Sequence, residues 1–380
     1  MLRGIKTELD LNNKEKSLCL QHAGTSRFAY NWALDLINKT MPYEIYWSAI
    51  DLHKQWVATF KKHNDWVKTI SKCPPQQAFR NLIGAMDKFW IYRKEIKDKK
   101  VSLEKVYKKK ILQKVGKRYI LKAEWKDKYI PLSLHHKFPN FKKKNKTEEK
   151  FYLEGTLKIE GKNIKLPKLG GLKTHENLIT GSPKNVVISQ HANKWFVSFK
   201  HEIATAKFEK KKGDVGVDLG IKKLATLSDG QVFAGSKKYK ELNKKLAKFQ
   251  RKLARQYEDY KKREELKTKE QKAADKKKEE SNPHIKYFIS NNYEKTRLQI
   301  QKLHYRIACL RKDILHKLTT YLAKNHSGIT IEDLNVSGMM KNHNLSQAIA
   351  NGAFYEFKRQ LEYKCEYYGT KLTVADRWFA

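Results

Sequence analysis

The sequence predicts an α+β protein of several domains, and three observations carry that expectation. A helical period runs from about Lys14 to Ile96, and short β-type runs punctuated by Gly, Asn and Pro fill residues 100–205. From residue 213 onward, strands and helices succeed one another. At 380 residues the chain is long enough for two or three domains with real cores.

Residues 1–10, MLRGIKTELD, read as one strand. SRFAYNWALDLINKT then sets Phe28, Trp32 and Leu36 four apart on one helix face. PPQQAFRNLIGAMDKFWIYRK opens on Pro74-Pro75, which suits a helix start. It continues with Phe79, Ile83 and Met86 at helical spacing and Trp90 on a neighbouring row, so this stretch predicts a small helical domain. KRYILKAEWKDKYIPLSL, KFYLEGTLKIEGKNIKLPKLG and NVVISQHANKWFVSFKHEI are rich in Tyr, Ile, Val and Phe. They predict a β-barrel or sandwich, with HANK as the turn of its last hairpin. Within this region HHKFPNFKKKNK, residues 135–146, interleaves His135, His136, Phe138 and Phe141 with five lysines. A solvated charge run is one reading; cations and aromatics contacting RNA or DNA are the other.

Beyond residue 213, DVGVDLG, KLATLSD and QVFAG predict a three-strand meander, with Asp229-Gly230 as a hairpin turn. Leu242, Leu246, Phe249 and Leu253 form a narrow apolar stripe on a first long helix. Leu303, Ile307, Leu310, Ile314 and Leu318 do the same on a second, so the two predict an antiparallel hairpin. Residues 257–288 are almost wholly charged and predict a mobile tip. SGITIEDLNV predicts a strand at Ile329–Ile331. SQAIANGAFYEFKRQLEYKCEYYG predicts one helix with Ala350, Phe354, Phe357 and Leu361 inward, stopped by Gly369. TKLTVAD predicts the last strand.

Eighty-one Lys and Arg against forty Asp and Glu give a net charge of +41, which predicts a polyanion partner. No run of about eighteen apolar residues, signal peptide or lipidation motif points to a membrane. Eight Trp, nineteen Tyr and sixteen Phe add stacking surfaces, a combination suited to single strands and RNA. Cys19, Cys73, Cys309 and Cys365 form no C-x-x-C pair, so they build no zinc ribbon and read as ordinary thiols of a reducing cytoplasm.

One acid stands in the apolar run Val215-Gly216-Val217-Asp218-Leu219-Gly220, where a buried charge costs several kcal/mol unless paired. Three strands with an acid on the first, then helices, then a fourth strand ending in an acid, follow ribonuclease H-like logic. That order brings Glu332 beside Asp218, and two such carboxylates tolerate each other when divalent metal lies between them. Carboxylates suit Mg²⁺ or Mn²⁺, and two such ions can drive phosphodiester cleavage. A turn aspartate, a surface strand-end glutamate, or Asp333 as the ligand in place of Glu332 are the competing readings.

VGVDLGIKKLATLSDG and ITIEDLNVSGMMKN resemble the first and second motifs of the RuvC nuclease domain in transposon-encoded TnpB proteins. Miniature type V CRISPR effectors, which descend from these, share the likeness. RFAYNWAL, PQQAFRNLIGAMDKFW, KFPNFKKKNK, IKLPKLGGLK, KWFVSF and RKDILHKLTTYL resemble further blocks of the family, in order along nearly the whole chain. The resemblance implies a split wedge β-barrel over 1–12 and 100–208, an inserted helical recognition domain over 13–99, and a RuvC-like nuclease domain over 209–380. It implies an RNA-guided DNA endonuclease that binds a guide RNA from the transposon end and a target double-stranded DNA, acting as a monomer on its RNA in the cytoplasm, at the nucleoid. Asp218 and Glu332 match the family's first two catalytic, metal-binding acids. Tyr30, Asn31, Trp32, Gln76 and Gln77 fall where the family contacts the motif flanking its target. Lys137, Phe141, Lys142, Lys143 and Lys144 lie in the basic loop that resembles part of its barrel. Gln can read adenine in the major groove, although a helix-surface glutamine is the commoner case.

The sequence departs from the family after ADRWF. There the family continues into a C-x-x-C zinc ribbon and a third catalytic aspartate, whereas this chain stops at Ala380. Asp376 resembles a structural aspartate and not that ligand. Two expectations follow: a shortened form of a longer active protein, with zinc only if a ribbon exists, or a cleavage-deficient RNA-guided DNA-binding protein. In a chain ending there, the missing last helix would uncover apolar surface on the sheet.

Overall fold

The computed structural model describes residues 2–97, 99, 101–116, 118–144, 148–202, 209–221, 223–268, 271, 274, 289–342 and 346–376. It is a mixed α/β structure in two compact units, Leu2–His201 and Glu202–Ala380. The expectations for RWFA and for most of 267–288 lie outside the described residues.

In chain order the first unit holds β1 (Leu2–Asp10), α1 (Asn13–Thr40), α2 (Ala49–Gln55), α3 (Cys73–Lys97) and α4 (Leu103–Val106). A separate hairpin, β2 (Leu112–Val115) and β3 (Arg118–Leu121), comes next. Then follow β4 (Lys150–Glu154), β5 (Lys158–Glu160), β6 (Asn163–Leu166), β7 (Gly170–Thr174), β8 (Asn185–His191) and β9 (Lys194–Glu202). These strands and β1 form one seven-stranded sheet in the order β4-β8-β9-β1-β7-β6-β5. Alternation puts Phe151, Leu153, Ile164, Leu166, Val186, Ile188, Val197 and Phe199 in a single core, joined by Cys19 and Ala23 of α1 and by Cys73 of α3. The HANK turn is a two-residue connection with Ala192 and Asn193 at φ 50° and 66°, the left-handed geometry that matches strand twist.

α1 starts on a capping box: Asn12 accepts the Glu15 N–H at 2.9 Å and Glu15 accepts the Asn12 N–H at 2.8 Å. The inward stripe of α1 differs from the expected one. Ala29, Ala33, Leu34 and Ile37 are buried with Ala78, Phe79, Leu82, Met86 and Phe89 of α3, because small alanines let two helices approach closely. Phe28 is 42 % exposed, and Trp32 and Leu36 are only partly buried. Phe28 and Trp32 flank the contact and meet Trp56, with ring centroids 5.9 and 5.2 Å away.

The second unit holds β10 (Val215–Asp218), β11 (Ala225–Leu227), β12 (Val232–Phe233), α5 (Lys237–Leu266), α6 (Asn291–Asn325) and β13 (Gly328–Glu332). α7 (Val336–Met339), α8 (Ser346–Gly352), α9 (Phe354–Tyr368) and β14 (Lys371–Ala375) complete it. Its sheet runs β12-β11-β10-β13-β14; the first three strands are an antiparallel meander, and β13 and β14 lie parallel to β10. One face, built by Val215, Val217, Ala225, Leu227, Ile329 and Ile331, packs on Leu315, Leu318 and Leu322 of α6 and on Phe357 and Leu361 of α9. The opposite face carries Gly216, Asp218, Thr226, Thr330, Glu332 and Thr373. That face is polar apart from edge side chains such as Val232, which pairs with Thr226 and is 45 % exposed.

Two long helices pack on each other through Leu242, Leu246 and Phe249 of α5 and Ile300, Leu303 and Ile307 of α6. Residues 257–266, expected in a mobile tip, continue α5, since charged residues of high helix propensity pair along the surface, as Lys261 does with Glu258 at 3.5 Å. The helix expected over 346–368 is two helices. Ala353 stands between them at φ 49°, which turns the inward face: Ile349 is buried and Ala350 exposed, while Phe354, Phe357 and Leu361 are buried as expected. Gly369 caps α9 at φ 67°.

Candidate nuclease site

Asp218 is the last residue of β10 and Glu332 the last of β13. The strands run parallel with Val217 opposite Ile331, so the two acids occupy the next ladder position. Neighbouring strands lie about 4.8 Å apart, which puts the carboxylates side by side on one face. Both side chains are exposed, so the desolvation expected of Asp218 does not arise: Val215 and Val217 take the core face, and the period of two turns Asp218 outward. Among the described residues neither carboxylate meets a cation or a hydrogen-bond donor.

Backbone contacts hold this strand edge. The Gly216 N–H donates to Ser228 Oγ at 3.0 Å, and the Ser228 N–H donates to the Gly216 carbonyl at 2.9 Å. After Asp218 the chain turns tightly at Gly220, where a Cβ would lie 2.8 Å from the Lys223 carbonyl oxygen. The start of β13 is equally tight: a Cβ at Gly328 would lie 2.5 Å from Asp214 Oδ1, which already accepts from Ser327 Oγ at 2.7 Å. Asp333, the competing ligand, is paired with Lys358 Nζ at 2.9 Å. The segment after it is pinned by Asn335, whose Oδ1 accepts the Gly338 N–H at 3.0 Å and caps α7.

Two lysines stiffen the helical layer behind the acids. Lys210 Nζ donates to the Ala323 and Tyr368 carbonyls at 2.8 Å and to Thr370 Oγ1 at 2.7 Å, tying α6 to the end of α9; burial lowers its pKa. Lys364, 6 % exposed, donates to the His316 carbonyl at 2.9 Å and to Thr319 and Thr320 at 2.7 and 2.8 Å, fastening α9 to α6. Glu332 opens on a cleft of about 570 Å³ lined by Leu219, Asn335, Tyr355, Lys358 and Arg359. The donor set is two hard carboxylates; among the described residues no group of three or more His, Cys, Asp or Glu could hold a metal.

The first unit gathers some of the expected nucleic-acid residues. Asn31 holds the basic loop from both sides, donating to the Lys142 carbonyl at 2.9 Å and accepting its N–H at 2.8 Å. Lys142 Nζ then lies 3.8 Å from the Tyr30 ring centroid. Burial, with Lys150 nearby, lowers the Lys142 pKa to about 8, so desolvation outweighs the attraction of the ring. Tyr30, Gln77 and Lys142 line a groove of about 660 Å³ with Arg27 and Asn81, and Gln77 donates to Asn81 at 3.0 Å. Trp32, Gln76 and Lys137 do not line it: Trp32 sits in the aromatic cluster, Gln76 is half-buried, and Lys137 lies 3.8 Å from the Tyr92 ring. Phe141, Lys143 and Lys144 are exposed, whereas His135 and Phe138 of the same loop are buried, Phe138 edge-on to Phe89 at 5.1 Å. Half of the aromatics read as contacts are therefore core. Tyr355, Lys358 and Gly220 went unnoticed in the sequence, although the glycine two residues after Asp218 marks a tight turn.

The family model OrfB_IS605, described as "Probable transposase", matches residues 197–288 and 260–343. HTH_OrfB_IS605, described as "Helix-turn-helix domain", matches residues 1–41. Over 2–41 the chain forms one strand and one long helix with the first residue of a short turn, so a helix-turn-helix does not fit within those residues. The chain is similar to InsQ of Escherichia coli (strain K12), a candidate RNA-guided DNA endonuclease, at 29 % identity over 390 residues, covering 96 % of this chain and 77 % of that one. A candidate RNA-guided DNA endonuclease of Streptomyces pristinaespiralis is 33 % identical over 198 residues, covering 52 % and 42 %. Another, of Mycobacterium tuberculosis (strain ATCC 25618 / H37Rv), is 26 % identical over 264 residues, covering 63 % and 52 %.

Proposed function

The chain belongs to the TnpB-like family marked by the OrfB_IS605 domains, and from that premise we propose that it is an RNA-guided DNA endonuclease of a transposable element. The observation that carries the reading is the bare acid pair, Asp218 and Glu332, in adjacent register on parallel strands. In a chain of net charge +41, two neighbouring carboxylates left without a described cation are poised for a mobile one. Under this reading residues 209–380 are a RuvC-like, ribonuclease H-like nuclease domain. Residues 1–12 and 100–208 are the split wedge barrel, and 13–99 the recognition domain. The partners are a guide RNA and target double-stranded DNA, bound by one protein copy in the cytoplasm, at the nucleoid. No helix among the described residues is long and apolar enough to cross a membrane.

Mg²⁺ or Mn²⁺ fits the donor set, since both take hard oxygen ligands and keep waters. Asp218 and Glu332 would hold it, and the bound ion would supply Lewis-acid stabilisation of the phosphodiester in flight. The chain's own contribution is position. The β10–β13 ladder fixes the spacing of the acids, the Gly220 turn fixes the strand end, and Lys358 keeps Asp333 occupied. Tyr30, Gln77 and Lys142 supply a basic and aromatic groove for nucleic acid in the first unit, with Asn31 positioning Lys142 and with Phe141, Lys143 and Lys144 beside it. Base pairing with the guide would read the target sequence while protein reads shape and a short flanking motif.

A second reading, RNA-guided DNA binding without cleavage, draws on the two-acid donor set. One experiment separates them. The protein is copurified with its native RNA and given a matched target with Mg²⁺. Cutting that is abolished in Asp218→Ala and in Glu332→Gln supports the nuclease reading. Cutting that persists in Asp218→Ala sinks the site assignment, and matched binding without cutting favours the second reading.

A further inference from the structure

Lys142 differs from its neighbours in the basic loop. Phe141, Lys143 and Lys144 are exposed, whereas Lys142 is half-buried. The two hydrogen bonds from Asn31 fix its backbone, and its Nζ lies 3.8 Å from the Tyr30 ring centroid at the wall of the groove of about 660 Å³. The carboxylates of that groove are committed elsewhere, Glu149 to Arg27 and Glu148 to Lys150 at 3.5 Å, so among the described residues no acid pairs with Lys142. An ammonium desolvated against a ring, with a second cation near and no carboxylate, gives up its proton readily, in keeping with its pKa of about 8. At pH 8 about half of Lys142 is then free amine, against roughly 0.4 % of an ordinary exposed lysine. The weaker base is also the weaker nucleophile, by about tenfold over such a shift, which leaves a net advantage of about tenfold.

We infer that Lys142 is a site of covalent acylation by small acyl phosphates, and that the modification removes the cation held at the wall of the groove. The unprotonated Nζ attacks the acyl carbon, and a nitrogen–carbon bond forms. The carbon–oxygen bond to phosphate breaks, and its electron pair leaves on inorganic phosphate. The nitrogen loses one proton to solvent, so the product is a neutral amide and nothing is oxidised or reduced. The groove is of small-ligand size, and the exposed Lys143, Lys144 and Lys150 draw a dianionic reagent toward it. The effect on binding rests on the reading of this groove as a nucleic-acid surface; the acylation does not.

The test treats the full chain with acetyl phosphate at pH 8 and follows acetylation of each lysine over time by mass spectrometry of glutamate-specific digests. Lys142 should react about tenfold faster than Lys143 and Lys144, and the preference should vanish in the chain unfolded by guanidinium. Asn31→Ala, which releases the loop, should also lower it; thermal melts establish that the variant folds. Equal rates at the three lysines of the folded chain, or a preference that persists in the unfolded chain, would overturn the site. Anisotropy of a labelled nucleic acid across salt concentrations reads the consequence. The acetylated protein and Lys142→Gln should bind several-fold more weakly at low salt, with the log–log slope flatter by about 0.7–0.9, the change for one lost phosphate contact. Lys142→Arg, which keeps the charge, should keep its affinity through acetyl phosphate treatment. Selective acetylation of Lys142 with affinity unchanged would defeat the groove as a nucleic-acid surface and leave the modification site standing.

Discussion

Replacing Gly220 by alanine tests whether the turn behind Asp218 depends on a close backbone approach. The new Cβ would sit 2.8 Å from the Lys223 carbonyl oxygen. Carbon–oxygen contacts ordinarily begin near 3.3 Å, so the turn must open by about 0.5 Å. The obstacle is backbone, which cannot swing aside as a flexible side chain can. Overpacking of this kind costs about 1–3 kcal/mol. A unit of roughly 150–250 residues loses about 2–4 °C per kcal/mol, so melting of the Glu202–Ala380 unit should fall by about 2–12 °C. Gly213→Ala is the control: nothing lies within 4 Å of its added Cβ. It should be neutral, or stabilising by about 0.4–1 kcal/mol through the unfolded chain. Calorimetry on both variants gives the comparison, and Gly220→Ala should also slow guided cutting well below its melting temperature, because the same turn aims Asp218. A Gly220→Ala protein that melts with Gly213→Ala refutes the close-approach account.

Ala353 sits at φ 49°, where an L-residue costs about 1–2 kcal/mol, so Ala353→Gly should raise the melting temperature by a few degrees; a drop would show that the methyl group packs usefully. Lys142, with its pKa lowered to about 8, loses its charge as pH rises through that value, so nucleic-acid affinity should step down between about pH 7 and 9. Between about pH 8 and 10.5 the unfolded chain binds the extra proton, so this group's contribution to stability rises with pH over that window. Lys142→Arg should remove the affinity step, and a step that persists in the variant assigns it to another group. Cys19, Cys73 and Cys365 are buried, and burial pushes the Cys19 and Cys365 thiols up to about 12 and 11, whereas Cys309 is exposed. One equivalent of thiol should therefore react with a soluble disulfide reagent under native conditions, and Cys309→Ser should abolish it; two or more fast equivalents would contradict the burial.

Much of the fold was legible because it is written locally. The apolar alternation of β8 and β9, the HANK and Asp229-Gly230 turns, and the Gly369 stop depend on residues a few positions apart. The parts that misled depend on what an element faces. Phe28, Trp32 and Leu36 are correctly helical, but α1 turns its alanines to α3 instead. His135 and Phe138 look like loop contacts until Arg93, Tyr107 and Phe89 enclose them. The single helix expected over 346–368 breaks at Ala353, a residue with no local tendency to break one.

The sequence by itself determined that two acids end two strands, that the chain is strongly basic, and that its motifs are those of one family. Side-chain chemistry and short-range periodicity are properties of the chain alone. Tertiary structure decided what surrounds those acids. Parallel pairing of β10 with β13, more than a hundred residues apart, sets Asp218 beside Glu332, occupies Asp333 with Lys358, and turns the acid face outward instead of burying it. It also fixes which lysines are spent on partners and which stay free, since an ion pair depends on a neighbour that folding delivers and that sequence distance does not reveal.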